Sequence, residues 1–134
     1  MNRSRTVIAT AILLLVLLVA PFGFAEDDED IIDATEWTDE IIEIEVTSSG
    51  FRFTPREIRV ALGSTVQITY VNGGGRHDWV LDEFDAATAV IGARQSETIE
   101  FVADEAGEFE FYCSVGGHRA AGMYGAFIVV DMDA

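Results

Sequence analysis

From residue 41 onward the chain is a succession of short segments in which apolar and polar residues alternate. "IIEIEV" (41–46), "REIRVAL" (56–62), "TVQITYV" (65–71), "SETIEFVA" (96–103) and "EFEFYC" (108–113) each put every second side chain on one face. That is the period of a half-buried β-strand. "FRF" (51–53) and "GAFIVVDM" (125–132) extend the series, and "HDWVLDEF" (77–84) reads as a short strand leaving a glycine loop. The breaks fall at "SSG", Thr54-Pro55, Gly63-Ser64, "NGGG" (72–75) and Gly107, residue types that turn chains. Seven or eight strands at this spacing, with little helical signal after residue 25, predict an antiparallel β-sandwich. Trp79, Phe101, Phe109, Phe111 and Phe127 fall in strand patterns and are assigned to its core, while "DAATAVIGARQ" (85–95) is weakly patterned and no internal repeat is visible.

The first 40 residues follow other rules. Arg3 and Arg5 precede 14 apolar or small residues (7–20), and Gly23 and Ala25 stand three and one before a cleavage point. This order is that of a secretory signal peptide over residues 1–25, or of an anchor if the segment is retained. No cysteine follows the apolar run, which excludes a lipid-modified cysteine there. Residues 26–40 (EDDEDIIDATEWTDE) read as an acidic, solvated linker, because like charges in a run repel and extend. The domain proper is then expected over 41–134. The implied location is outside the cytoplasm, in the periplasm or on the outer face of the cytoplasmic membrane.

Charge narrows the partners. The net charge is −16, with no lysine; all 24 acids lie beyond residue 25 and two of the eight arginines before it, so cleavage would leave −18. Nucleic acid and anionic membrane surfaces are poor partners, because like charge repels them, and cationic protein surfaces are favoured. Membrane association is expected only through a retained anchor. Such a surface also suits strong salt, where the screening length falls to about 3 Å at 1 M.

A single cysteine in an exported chain allows no internal disulfide, leaving intermolecular pairing, a reactive thiol or a metal ligand. Cys113 opens the stretch "CSVGGHRAAGM", which spaces Cys113, His118 and Met123 as C-x4-H-x4-M between two strands. Its glycines and alanines let the loop curl and aim a thiolate, an imidazole and a thioether at one centre. Soft sulfur with nitrogen favours copper, Cu(I) in particular, over magnesium or calcium. A trigonal site needs one more nitrogen, and the only other histidine, His77, leaves the "NGGGR" loop. His77, Cys113 and His118 with a long axial Met123 form the electron-transfer copper arrangement. Taken one at a time, a lone cysteine or methionine is more often a buried hydrophobe. Together they leave no needed ligand missing and no histidine over. Arg76 reads as a loop charge whose carbonyl lies beside a ligand, Tyr112 as a core or edge residue, and Asp82, Glu83 and Asp85 as acidic surface.

"FEFYCSVGGHRAAGMYGAFIVV" with "VNGGGRHDWVLDEF" resembles the cupredoxins, the family of plastocyanin, azurin and halocyanin, over roughly residues 41–130. The resemblance implies a Greek-key β-sandwich with one type 1 copper ion near one end, held by His77, Cys113, His118 and Met123. It also implies electron exit through the His118 edge across a small apolar surface containing Gly116, Gly117, Ala120, Ala121 and Gly122. The partners would be redox proteins, such as a c-type cytochrome or a membrane oxidase or reductase. Two positions depart from the family pattern. Gly116 replaces a frequent proline, which implies a less stiff loop. Asp78 replaces a frequent asparagine, and its side chain is expected to bond Ser114 and tie the two ligand loops together.

The expected function is therefore single-electron transport by a monomer, without catalysis. Multicopper oxidases and copper nitrite reductases need further histidines, and this chain has two. A copper chaperone or store would use paired cysteines or methionine clusters. A metal-free β-sandwich serving as an interaction module is the third alternative.

Overall fold

The computed structural model describes residues 30–134. Ten strands form two sheets: β1 (Ile31–Ala34), β2 (Ile42–Ser49), β3 (Arg52–Thr54), β4 (Glu57–Ala61), β5 (Thr65–Asn72), β6 (Val80–Leu81), β7 (Ala86–Ala87), β8 (Ser96–Val102), β9 (Gly107–Tyr112) and β10 (Tyr124–Val130). One sheet has the order β1-β4-β10-β9-β6-β7 and the other β3-β2-β5-β8. The all-β sandwich expected from the alternation is the observed architecture. The described residues include no α-helix, only a 3-10 turn over Asp82–Phe84, and thus no helix long and apolar enough to cross a membrane.

The strand directions differ from the sequence-based expectation. The pairs β1·β4, β4·β10 and β2·β5 are parallel, so the sheets are mixed rather than antiparallel. Alternation reports which face a residue takes and is blind to the direction of the neighbouring strand. The linker expected over 26–40 is also corrected within the described residues, because Ile31–Ala34 forms β1 on the edge of the larger sheet. Ala34 is buried and Ile32 packs against the core. The Asp30 carbonyl accepts the N–H groups of Arg56 and Glu57, and Thr35 bonds the Asp33 carboxylate. Four strand residues between acidic flanks were hidden by the charge around them. The leader assigned to residues 1–25 lies outside the described residues.

The sheets meet through the predicted inward faces. Ile42, Ile44 and Val46 of β2 are buried, while Glu43 and Glu45 between them are exposed. Val66, Ile68 and Tyr70 of β5 oppose Ile58 and Val60 of β4 and Phe127 and Val129 of β10 in one core. An aromatic series crosses it, with ring centroids 5.6 Å apart for Phe53–Phe111, 5.4 Å for Trp79–Phe111 and 5.5 Å for Phe101–Phe127. Each such ring buried contributes about 1.5–3 kcal/mol. Phe109, expected in the core, is only partly buried and packs edge-on against Phe84. The "HDWVLDEF" strand is shorter than its pattern, because Asp82–Phe84 turns and Asp85 takes a left-handed φ of 50°.

Candidate metal centre

His77 is delivered by the segment after β5, and Asn72 holds that segment in place. The buried Asn72 amide donates to the carbonyls of Gly75 (2.9 Å) and Ile91 (3.0 Å), and its oxygen accepts from Gly74 N–H and the Ser48 hydroxyl, each at 3.1 Å. Gly73 donates to the Ser48 carbonyl, and a Cβ at that position would sit 2.1 Å from the same oxygen. Only glycine fits there, so the loop lies hard against the end of β2. His77 itself exchanges backbone hydrogen bonds with Ile91 (3.2 and 2.9 Å), which fixes it on both sides.

The other ligands lie on one self-bonded loop. Cys113 follows β9 directly, and its N–H donates to the Met123 carbonyl (3.1 Å), closing the loop at the start of β10. Inside it, His118 N–H donates to Val115, Ala121 to Gly117 and His118, Gly122 to Arg119, and Met123 to His118. Gly116 has φ +46°, which proline, locked near −65°, cannot adopt. The expectation of a slacker loop is thus answered by a different conformation held by its own hydrogen bonds.

These two loops bring the Nδ1 atoms of His77 and His118 to 3.1 Å from each other, with the Cys113 sulfur 3.8 Å from the first and 3.6 Å from the second. The circle through three points so spaced has a radius of about 2.0 Å, the length of a metal–imidazole bond. Cys113 and Met123 are fully buried, His77 nearly so, and His118 is partly buried. Met123 bridges the triangle through its main chain, bonding Cys113 on one side and His118 on the other, and its thioether is the candidate fourth donor.

The electrostatics suit a soft cation. Burial pushes the Cys113 thiol up, partly opposed by the N–H groups of Asp78 and Val115 directed at the sulfur. The thiol alone therefore stays protonated at neutral pH, and a bound cation would stabilise its thiolate. Burial, then the neighbouring His118, lowers the His77 pKa. His77 is thereby kept neutral, the form a metal ligand requires.

Asp78 is buried and joins the loops: its carboxylate accepts the Ser114 N–H at 2.7 Å and also the Ser114 hydroxyl. Gly116, Gly117, Ala120 and Ala121 are exposed beside His118, and Arg76 is exposed at the rim.

Four further features escaped sequence reasoning. Phe51, half exposed at the β2–β3 turn, lies with its ring centroid 4.7 Å from that of His118 and 6.4 Å from that of His77. Arg119 places its guanidinium 3.9 Å from the Tyr112 ring centroid and pairs with Glu110 at 2.6 Å. Tyr112 in turn donates its hydroxyl to Asp82. These contacts join the neighbours of His118 and Cys113 to the segment that follows His77. Asn72 is the fourth. Only the aromatic at a glycine turn, Phe51, carried any local signal.

A β-sandwich with two imidazoles and one thiol converging at its end is suited to a soft, nitrogen-binding metal, with copper the best match. A cupredoxin-like domain model matches residues 10–129, and the chain belongs to that family. It is 35% identical over 105 residues to a halocyanin of Natronomonas pharaonis, covering 76% of this chain, and 32% identical over 104 residues to the copper-resistant cuproprotein CopI of Rubrivivax gelatinosus, covering 63% of this chain. The chain spans 63% of the length of each of these relatives. Its fold matches that of the auracyanin of Roseiflexus castenholzii with a TM-score of 0.61 at 24% identity, over 69% of this chain and 98% of that one. The fold and the His77–Cys113–His118 cluster are thus those of a cupredoxin-like domain with a candidate copper site.

Proposed function

We propose that the protein carries single electrons between redox partners outside the cytoplasm, through one type 1 copper ion held by His77, Cys113, His118 and Met123. The observation that carries this reading is the triangle of two Nδ1 atoms and one sulfur, sized for one metal ion and built on hydrogen-bonded loops. When bound, copper supplies a one-electron couple between Cu(II) and Cu(I).

The chain's own residues do the rest. The Asn72 and Cys113–Met123 hydrogen bonds hold the donors at fixed spacing, which limits rearrangement between oxidation states. Asp78 locks one ligand loop to the other through Ser114. Burial of Cys113 keeps water and oxidants from the sulfur. His118 alone reaches the surface, with Gly116, Gly117, Ala120 and Ala121 giving a partner close approach to its ring. A c-type cytochrome or a membrane oxidase or reductase with a basic face fits the charge. Export to the periplasm or to the outer face of the cytoplasmic membrane fits the leader-like residues 1–25.

A second reading, copper tolerance, is favoured by the likeness to CopI. Redox titration of copper-loaded protein separates the two. A carrier is intensely coloured when oxidised, bleaches with one electron per copper and recovers fully. A colourless or redox-silent copper complex would favour sequestration.

A further inference from the structure

Arg76 lines a shallow cleft of about 450 Å³ beside the donor triangle, together with Phe51, Val115 and His118. No carboxylate lines that cleft, although the chain carries 24 acids. Arg52, Arg59 and Arg119 each have an ion-pair partner, whereas Arg76, like Arg56 and Arg94, has none among the described residues, and of these three only Arg76 lines this cleft. Its backbone is nevertheless fixed, because Gly75 before it is bonded by Asn72 and His77 after it is bridged to Ile91. Arg76, the cation that lines this cleft, is therefore both held in place and unspent. Guanidinium is planar, weakly hydrated and shaped for a carboxylate, which suits it to a desolvated contact. At physiological ionic strength charges are screened over about 8 Å. The local sign at His118 can thus oppose that of the whole molecule.

Resting on the carrier reading, we propose that Arg76 is the anion-recognising element of the docking face. The redox partner lays an apolar patch over Phe51, Val115 and His118 and sets a carboxylate within that patch against Arg76. Its basic rim meets the acidic surface beyond. Attraction between net charges orients the encounter, and the Arg76 pair fixes its register.

Stopped-flow oxidation of the reduced, copper-loaded full chain tests this with two small probes, anionic ferricyanide and cationic tris(phenanthroline)cobalt(III). Each accepts one electron, leaving ferrocyanide or cobalt(II) and the oxidised protein. At low ionic strength Arg76→Gln should slow ferricyanide about three- to tenfold and leave the cobalt reaction unchanged or faster, and about 1 M salt should erase the difference. Arg76→Lys should retain most of the ferricyanide rate. An unchanged ratio of the two rates in Arg76→Gln, or equal slowing of both, overturns the proposal while the carrier reading stands. Wild-type protein that reacts with neither probe overturns the carrier reading and the proposal with it.

Discussion

Asp78 illustrates how one atom's chemistry reaches the metal centre. Its carboxylate is buried and takes both the N–H and the hydroxyl of Ser114, the residue after the cysteine ligand. A negative charge so placed favours the more positive, oxidised state of a bound copper. Asp78→Asn is expected to raise the reduction potential on the order of 50 mV, close to a tenfold shift for a one-electron couple, as read by spectroelectrochemistry; an unchanged or lowered potential would contradict this. The ligands themselves were legible in the sequence, because one cysteine and two histidines leave a single way to assemble a soft-metal site. The contacts around them were not. Phe51 is 67 residues from His118 in sequence yet packs on its ring, and no local pattern encodes such a meeting. Tyr112 and Asp82 read as edge and surface residues in the sequence, and Arg119 carried no signal there, until the fold stacks them.

Among the elements, the β5 end and the loop after it matter most to the site. Gly73→Ala must push its Cβ away from the Ser48 carbonyl, displacing the loop that carries His77. Its expected cost is about 1–3 kcal/mol, in the range of overpacked interiors. Asn72→Ala, which leaves buried partners unpaired, should cost a similar amount. Urea midpoints should fall in both variants, and copper should pass to a chelator faster than from wild type. Gly74→Ala, whose Cβ would meet open space, should change neither. The strands with clean alternation, β2, β4, β5, β8, β9 and β10, were legible because one face of each meets the core. β1 was not, since acids flank it, and neither was the two-residue β7, which is too short to show a period; β6 was legible only as part of a longer apparent strand. Parallel pairing was invisible because it is a property of two strands and of the path between them.

The molecule as a whole is a strongly acidic sandwich whose core contains one phenol with consequences for pH. Tyr70 is fully buried, its hydroxyl 2.7 Å from the Ser48 oxygen, and burial pushes its pKa up to about 12. An unfolded chain releases that proton near pH 10, so between about 10 and 12 the folded state holds more protons than the unfolded one. Stability from this group is therefore intact below about pH 10 and falls as pH rises through the window, by about 2–3 kcal/mol at most. Tyr70→Phe should flatten the alkaline limb of a urea-midpoint profile. A slope remains from Tyr112, which the Asp82 carboxylate shifts in the same direction. Persistence of the full wild-type slope in Tyr70→Phe would place the alkaline loss elsewhere.

The reading of the site rests on the buried sulfur of Cys113 and the two imidazole nitrogens binding copper together. The visible absorption of oxidised, copper-loaded protein, wild type beside Cys113→Ala, tests that most directly. The account predicts an intense blue band in wild type and its complete loss in the variant, even if some copper remains bound through His77 and His118. A variant that kept the band would contradict the assignment of Cys113, and with it the site.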